Sequence, residues 1–282
     1  MPADSSRRGH RKEETDDADH LVGADRVLAV LRELARHGEG IGLDALAQAV
    51  RSRKPTVHRA LVALRRAGFA AQDGRGHYVL GDDFLRLAFT HHENRPDHSR
   101  VRPALTALTA RFEETSHYAV LDDRSVVYRA KVDPPSGPIK LSSTVGGRNP
   151  AHCTAVGKVL LAHRLSDDAA VRDWVRAGRL ERRTDRTLTT QRALVAELSR
   201  VREQGFAVDD QESDHGVNCV AVPVWLASPS PEPTGAVSVS ALAYRTPLEK
   251  LVRSVGEVRE IVGSAVGGPP SDFGRRPGPG RG

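Results

Sequence analysis

Hydrophobic residues in the first third of the chain recur at helical spacing and predict three short amphipathic helices. The first two helices cover residues 25–36 and 43–50, and the third lies within residues 51–69, which include its entry turn and its end at Gly68. Apolar residues at i, i+4 and i+7 form the buried stripe of the third helix: Val57, Leu61 and Leu64. Only a short turn at Arg51 and Ser52 separates the second helix from the third. The pattern therefore predicts a helix-turn-helix.

A β-hairpin and a fourth helix are predicted to follow. Residues 69–72 and 78–80 read as short strands around a glycine-bearing turn, so they predict a wing. Residues 82–92 then show one apolar helical stripe, formed by Phe84, Leu87 and Ala88. The polar run HENRPDHS interrupts that pattern, and we place a domain boundary there.

Helices and strands alternate without a regular βαβ repeat in the rest of the chain, which predicts an α+β domain. The predicted strands cover residues 117–121, 125–130, 139–142, 206–209, 219–224 and 237–241. The predicted helices lie around residues 101–112, 155–163, 167–177, 190–204 and 247–262. Residues 1–20 are polar and 267–282 are rich in Pro and Gly, so both are predicted to be disordered tails.

Composition fits an ordinary two-domain protein without a membrane span. The chain has 282 residues, 39% hydrophobic content and a net charge of +6. No apolar run approaches the roughly 18 to 20 residues that cross a bilayer, and the N-terminal residues lack the apolar core of a secretory signal. These features predict a cytoplasmic protein, whose two cysteines would remain thiols.

Positive charge is concentrated on the third helix. No Asp or Glu occurs between Ala45 and Gln72, a stretch that holds six Lys or Arg residues. The electrostatic field of such a cluster of positive charges attracts phosphate. A basic helix can also be an ordinary solvated surface. With the helix pair and the wing, it predicts binding of double-stranded DNA. The predicted DNA-binding residues are Arg51, Arg53, Lys54, Thr56, His58, Arg59, Arg66 and Arg75.

Two cysteines with nearby histidines raise the alternative of an enzyme. Cys153 follows His152, and Cys219 lies four residues after His215. Adjacent side chains usually point apart, and these spacings match no structural zinc pattern, so buried cysteines and surface histidines are favoured over a nucleophile or a metal site. The open alternatives are a cysteine-dependent metabolic enzyme with a nucleic-acid-binding module and an RNA-binding winged helix.

Several sequence blocks together resemble the IclR family of bacterial transcriptional regulators. In the first half these blocks are TVHRAL (56–61), GF (68–69) and YVLG (78–81). In the second half they are NPAHCTAVGKVLLA (149–162), REQGFAVDDQE (202–212) and GVNCVAVPV (216–224). The resemblance covers residues 23–266. It implies a winged helix-turn-helix at 21–81, a linker helix at 82–98, and a GAF-like antiparallel-sheet effector-binding domain at 99–266.

The same resemblance implies the site and the partners. The family's effector-binding positions fall on Ala155, Val156, Asp209, Cys219, Ser238 and Ser240. Ala155 and Val156 replace a smaller Gly-Ala pair of many members, which would reshape the pocket. The implied partners are operator DNA, a small-molecule effector, and further copies in a homodimer or a dimer of dimers. No cofactor, metal or catalytic residue is implied.

The start of the predicted helix at Ala155 favours an organic acid as the effector. Unpaired amide N–H groups and the positive end of the helix dipole would hold a carboxylate at Ala155 and Val156. An ionised Asp209 would repel that anion unless it accepts a ligand hydroxyl or is protonated by burial. We therefore expect a hydroxy or keto acid that changes the affinity of this protein for its operator.

Overall fold

The chain folds into two compact units. The computed structural model describes residues 23–94, 96–135, 141–226 and 232–266, and the division between the units falls after Glu93. The predicted linker segment 82–98 therefore contains one helix of the first unit and the first residues of the next helix. The predicted tails, 1–20 and 267–282, lie outside the described residues.

The first unit is a winged helix-turn-helix. Its elements are α1 (Gly23–Leu34), α2 (Leu43–Ala49), α3 (Lys54–Arg66), β1 (Ala70–Gln72), β2 (Tyr78–Leu80) and α4 (Asp82–Glu93). β1 and β2 pair antiparallel, and Ile41 adds a single bridge to Tyr78. The apolar stripe of α3 packs on α1 and α2, and Val57, Leu61 and Leu64 are buried as the sequence predicts.

Local sequence signals set both ends of α3. Pro55 stands in the first turn, where an amide N–H would have no intrahelical acceptor. At the other end Gly68 takes a φ of 72°, and the Phe69 N–H donates to the carbonyl of Leu64 over 2.8 Å. The chain therefore reverses immediately after α3 and enters the wing.

The second unit is an antiparallel sheet covered by helices on both faces. Its strands are β3 (Thr115–Asp122), β4 (Ser125–Val132), β5 (Arg148–Pro150), β6 (Ala207–Asp210), β7 (Val217–Val224) and β8 (Gly235–Leu242). Its helices are α5 (Pro96–Phe112), α6 (Ala155–Arg164), α7 (Asp168–Arg176), α8 (Gln191–Gln204), α9 (Leu248–Arg253) and α10 (Val255–Val266). The strand order is β5-β4-β3-β8-β7-β6. The predicted α+β class is confirmed.

Strand alternation divides the core of this unit into two layers. The valine-rich face of the sheet packs against α5 and α10, with Val220, Val237 and Val239 at its centre. The opposite face carries small residues such as Ala119 and Ala221, and it packs against α6 and α8. Polar residues lie on the same face, in a cross-strand row formed by Asp209, Cys219 and Ser240.

A bulge in β4 changes which side chains reach this second face. Tyr118 pairs with Ala130 while Ala119 pairs with Tyr128, so Arg129 is an extra residue in the strand. Tyr128 therefore lies on the same face as Ala119, and Lys131, opposite His117, returns to that face three residues later.

Two predicted elements of the second unit were wrong. Leu141 and Ser142 are not in a strand, whereas residues 139 and 140 of the predicted strand lie outside the described residues. The single helix predicted over 247–262 is two helices, α9 and α10, because the chain leaves helical geometry at Ser254. The Ser254 side chain donates there to the carbonyl of Lys250 over 3.0 Å and competes with the helix backbone.

Candidate DNA-binding surface and ligand cavity

The outer face of α3 is a continuous basic surface. Arg59, Ala63 and Arg66 are exposed on it, and Thr56 is partly exposed at its start. His58 is also exposed, one residue from Arg59. Because the opposite stripe is buried in the helical core, this face of α3 is available to enter a major groove.

The turn between α2 and α3 forms a basic depression. Arg51 adopts a left-handed φ of 48°, which reverses the chain tightly enough for the Ser52 N–H to donate to the Ala47 carbonyl. A groove of about 610 Å³ lies beside it, lined by residues that include Arg26, Arg51, Arg53 and Lys54. Arg26 is far away in sequence, so the charge run alone did not reveal it. The groove provides several cations at one end of α3, where a phosphate would lie.

Lys54 is also held by an acidic partner. Its ammonium lies 2.7 Å from Asp44 Oδ1, and both side chains are more than half exposed. This exposed pair positions Lys54 at the N-terminus of α3 but contributes little to stability.

The wing turn is fixed by one carboxylate. Asp73 Oδ1 accepts hydrogen bonds from the N–H groups of Arg75 and His77, at 3.0 and 2.8 Å. These backbone bonds lower the pKa of Asp73, so the turn keeps its anionic cap near neutral pH. The Arg75 side chain is exposed at the tip, and its Nε lies 3.6 Å from Asp73 Oδ2.

Helix α4 presents apolar side chains to solvent within its own unit. Phe84 packs edge-on against Phe69 of the wing, with ring centroids 6.1 Å apart. Leu85, Leu87 and Phe89 are 42, 50 and 61% exposed. Of the predicted stripe, Phe84 thus packs on the wing, whereas Leu87 and Ala88 remain exposed.

A cavity of about 340 Å³ opens on the small-residue face of the sheet in the second unit. Its polar wall residues are His117, Tyr128, Ser142, Ser143, Asn149, Asp209, Ser213, Asp214, His215, Cys219 and Ser240. Its apolar wall residues are Leu141, Val217 and Leu242. The volume and the mixed lining match the range of small-molecule sites.

Strand register explains why three of the predicted residues meet in this wall. Cys219 on β7 lies opposite Asp209 on β6 and opposite Ser240 on β8. The three side chains therefore form one cross-strand row. Burial raises the pKa of the Cys219 thiol, and Ser240 is its hydrogen-bond partner, so this cysteine is a neutral wall residue.

His117 connects that row to the loop that covers the cavity. Its Nδ1 is 3.3 Å from Ser240 Oγ, and its Nε2 is 2.8 Å from Ser143 Oγ. Burial lowers the pKa of His117 to about 3, so the ring is neutral at physiological pH and has one donor and one acceptor nitrogen. Lys131 fixes the same loop by donating to the carbonyls of Leu141 and Ser143, at 2.9 and 2.8 Å.

Asp209 forms the acidic end of the cavity. Its Oδ1 accepts N–H bonds from Glu212 and Ser213, at 2.7 and 3.3 Å. Burial nevertheless raises its pKa to about 7, because it outweighs the attraction of Lys158. Asp209 is therefore able to accept a hydrogen bond when ionised and to donate one when protonated.

Further hydrogen-bonding groups line the remaining wall. Asn149 Nδ2 is 3.3 Å from the Tyr128 hydroxyl, and the Tyr128 ring lies 5.0 Å from the His117 ring. Ser213 is only 6% exposed, and its hydroxyl has no hydrogen-bond partner among the described residues. A buried polar group without a partner costs stability, so a ligand that pairs with Ser213 gains affinity.

The sequence-predicted effector residues are only partly brought together. Asp209, Cys219 and Ser240 line the cavity, whereas Ser238 lies two residues along β8, opposite His117 and outside the lining. Ala155 and Val156 open α6 but are 2% exposed, and the structure does not place them in this wall. Thr154 Oγ1 caps α6 by accepting from the Gly157 N–H over 3.1 Å.

Sequence reasoning missed His117, Tyr128, Ser143, Asn149 and Ser213. One signal was available: His117 interrupts the otherwise apolar strand HYAVL, and a buried polar residue in such a strand usually has a specific partner. Tyr128 pairs with Ala119 before the bulge and so faces the cavity, whereas Lys131 comes to the same face only because of the bulge at Arg129, which no local pattern indicates.

A buried ionic cluster lies behind Asp209. Lys158 on α6 is completely buried, and its ammonium is 3.0 Å from Glu197 Oε1 of α8 and in direct contact with Glu212 Oε1. These two carboxylates raise the pKa of Lys158 although burial opposes them, so the ammonium stays charged. The cluster ties α6 and α8 to the turn that carries the hydrogen bonds to Asp209.

The geometry does not assemble the histidines and cysteines into a reactive site. His152 Nε2 bonds to the Glu181 carbonyl at 3.0 Å, and burial raises the pKa of Cys153 to about 12. His215 is exposed beside Asp185 and lines the cavity together with Cys219, whose thiol is kept neutral because burial raises its pKa. Within the described ranges, no group of three or more His, Cys, Asp or Glu residues is arranged to hold a metal ion. No helix in those ranges is long and apolar enough to cross a membrane.

Comparison with known proteins agrees with both units. The family model for the IclR helix-turn-helix domain matches residues 23–74, and that for the bacterial transcriptional regulator IclR C-terminal domain matches residues 95–265. The HTH-type transcriptional regulator KdgR of Escherichia coli K12 is 35% identical over 208 residues, which are 73% of this chain and 78% of KdgR.

Solved structures show the same fold. A transcriptional regulator from Rhodococcus sp. RHA1 matches with a TM-score of 0.74 and 28% identity, over 88% of this chain and 97% of that one. An IclR homologue from Microbacterium hydrocarbonoxydans, solved with 4-hydroxybenzoate, matches with a TM-score of 0.65 and 17% identity, over 84% and 99% of the two chains. The chain belongs to the IclR family of bacterial transcriptional regulators, which are DNA-binding proteins with an effector-binding domain and not enzymes.

Proposed function

We propose that this regulator binds a pseudo-palindromic operator as a homodimer and that a small hydroxylated organic acid in the 340 Å³ cavity changes its affinity for that operator. The observation that carries the proposal is the wall formed by Asp209, Cys219, Ser240 and His117 in one continuous hydrogen-bonding surface. The protein would act in the cytoplasm, where operator DNA lies.

DNA recognition is assigned to α3, the turn before it and the wing. Thr56, His58, Arg59 and Arg66 would reach base edges or nearby phosphates from α3. The basic depression at Arg51, Arg53 and Lys54 and the wing tip at Arg75 would hold the DNA backbone. Such contacts give salt-sensitive binding.

The exposed apolar surface of α4 supports pairing of two copies. One helix-turn-helix reads few base pairs, and Leu85, Leu87 and Phe89 offer an apolar face for a second copy. The two recognition helices would then read half-sites about 34 Å apart, or a multiple of that distance. A dimer of dimers would extend the same arrangement.

The cavity chemistry favours a ligand with a hydroxyl group. Asp209 accepts a hydroxyl hydrogen when ionised, and the Ser213 hydroxyl is available to pair with the ligand. No Lys or Arg lines the cavity among the described residues, so a carboxylate there would be held by neutral donors such as Tyr128, Asn149 and the serines. The 4-hydroxybenzoate complex of the Microbacterium homologue shows a ligand of this class on the same fold.

A ligand changes DNA affinity only if it binds the DNA-competent and DNA-incompetent arrangements unequally. A coupling free energy of about 1 to 3 kcal/mol would be ordinary for such a regulator. Tight binding of the acid alone therefore does not establish regulation.

The experiment measures binding of 4-hydroxybenzoate and of benzoate to the full chain by calorimetry. Because benzoate leaves Asp209 without its hydroxyl partner, we expect its affinity to be lower by about tenfold or more. Asp209→Ala and Cys219→Leu should abolish the preference while leaving operator binding without ligand nearly unchanged. Equal binding of both acids by the wild-type chain and by these variants would refute the assignment of the cavity.

A further inference from the structure

A second and larger cavity lies at the open edge of the sheet in the effector-binding unit. Its volume is about 520 Å³, and it is bounded by the end of α8, the end of β7 and the second half of α10. Within the described part of the chain it shares no lining residue with the cavity around Asp209. It is therefore a separate site on the same unit.

The cavity exists because β6 is shorter than the strand beside it. β6 begins at Ala207, opposite Ala221, while β7 continues to Val224. Among the described residues, the last ones of β7 thus have no neighbouring strand on one side. Pro223 stands there and has no N–H to offer, so this edge is poorly suited to adding another strand. A compact ligand fits the gap better than an extended peptide.

The floor of the cavity is apolar. Val201, Val222, Val224 and Val262 line it and are buried to within a few per cent of their surface. Trp225 adds an aromatic wall, and its ring lies edge-on to His163 with centroids 5.6 Å apart. These surfaces suit a planar or branched hydrocarbon body.

Positive charge stands at the rim. Arg259 of α10 donates one N–H to the Gln204 carbonyl over 2.6 Å, and a guanidinium has further donors that a ligand anion could use. Arg202 also lines the cavity, but it is committed to the Leu165 carbonyl at 2.9 Å and to Asp168. Glu203 is the acidic residue of the lining. The anionic group of a ligand would therefore lie against Arg259.

We propose that this sheet-edge cavity is a second ligand site, which binds a small amphipathic organic anion with its hydrocarbon body on the valines and Trp225 and its anionic group on Arg259. The site is close to the cavity around Asp209 along the chain, because Gly205 in its lining lies just before β6, the strand that carries Asp209. An occupant here would contact the end of β7, and the first residues of the same strand, Val217 and Cys219, line the first cavity.

Two glycines of α10 provide matched variants. Gly263 lines the cavity, and a Cβ placed on it would meet no atom within 4 Å. Gly263→Leu should therefore fill the cavity without a clash. Gly256 lies in the same helix, has equally open surroundings and is not part of the lining. Gly256→Leu is the control for any effect of leucine on the helix itself.

The test uses two dyes with the same aromatic skeleton on the full chain. The anion is 8-anilino-1-naphthalenesulfonate, and the uncharged dye is N-phenyl-1-naphthylamine. Trp174→Phe makes Trp225 the sole tryptophan, since the chain has two, so its quenching reports binding. We expect one equivalent of the anion to bind the parent chain and Gly256→Leu, and Gly263→Leu to weaken it about tenfold or more.

Arg259→Gln tests the charge without filling the cavity. The substitution should lower the affinity for the anionic dye about tenfold. The affinity for the uncharged dye should stay within about twofold of that of the parent chain. Undiminished binding of the anion by Gly263→Leu, or equal losses of both dyes in Arg259→Gln, would overturn the proposal. Binding in all variants would place the dye elsewhere, including the cavity around Asp209, and would also overturn it.

Discussion

The backbone N–H of Glu212 donates to Asp209 Oδ1 over 2.7 Å, while the Glu212 side chain contacts Lys158 in the protein interior. One residue thus links the acidic end of the ligand cavity to a completely buried ammonium on α6. The protonation of Asp209 and the integrity of the buried cluster are therefore physically connected, and both are open to measurement.

Asp209→Asn should change how stability depends on pH. Burial raises the pKa of Asp209 from its ordinary 3.8 to about 7, so the folded state favours the protonated acid. The contribution of protonated Asp209 to the free energy of unfolding is fully present below pH 3.8. It is lost as pH rises through about 7. As pH rises from acidic values to about 8, the free energy of unfolding of the amide variant should increase by roughly 2 to 4 kcal/mol relative to that of wild type.

Urea unfolding at a series of pH values measures this difference. Asp210→Asn is the matched control, because the Asp210 carboxylate lies 2.6 Å from Arg186 and is about half exposed. A parallel pH profile for Asp209→Asn and wild type would show that folding does not shift the pKa of Asp209, and would contradict the prediction.

Lys158→Met should strongly destabilise the second unit. The substitution leaves Glu197 and Glu212 buried without their shared cation, which typically costs about 3 to 5 kcal/mol. Replacing Glu212 by Gln in the same chain should recover part of that loss. Lys250→Met, at an exposed position, is the control. The role of the cluster would be disproved by equal free energies of unfolding for the two methionine variants.

Arg59→Ala should separate base recognition from general DNA binding. Arg59 is exposed on the outer face of α3, so its loss should cost about 1 to 3 kcal/mol on operator DNA and less on random duplex. Arg75→Ala at the wing tip should weaken binding of both duplexes equally. It should also reduce the slope of log K against log salt concentration by about 1. Titrations of both duplexes at several salt concentrations check this, and equal losses for Arg59→Ala would contradict the assignment of α3.

Phe89→Glu should weaken self-association if α4 pairs two copies. Phe89 is 61% exposed, and a carboxylate there would have to be desolvated at a dimer contact. Sedimentation should show dissociation at concentrations where wild type is dimeric, together with loss of the paired footprint on DNA. Thr90→Glu, exposed on the next position of the same helix, controls for added charge. A wild-type chain that is monomeric both free and on DNA would exclude the proposed dimer.

Short-range patterns predicted the first unit well. The spacing of Val57, Leu61 and Leu64, the proline in the first turn and Gly68 after the last turn are local signals, and each acts where the sequence indicated. The division of the second unit at Ser254 was missed because its apolar stripe continues on both sides, from Leu251 to Val255 and Val258.

The ligand cavity was only partly predictable, because register brings distant residues together. The resemblance pointed to Asp209, Cys219 and Ser240, which do share one wall. His117 and Tyr128 come from strands whose pairing with β8 and β5 no local pattern specifies. Lys158 likewise meets Glu197 and Glu212 across 39 and 54 positions of sequence, counted from their residue numbers.

The extra residue at Arg129 gives β4 two frames of alternation. Before it, Val126 and Tyr128 belong to the layer beneath α6, whereas Ala130 after it belongs to the layer beneath α5. Even-numbered positions therefore change sides within a single strand. Engineering of the cavity through this strand must therefore treat the two segments separately. A hairpin grafted from a protein without the bulge would place the counterpart of Lys131 in the valine layer, and the loop at Leu141 and Ser143 that Lys131 holds at the cavity would be released.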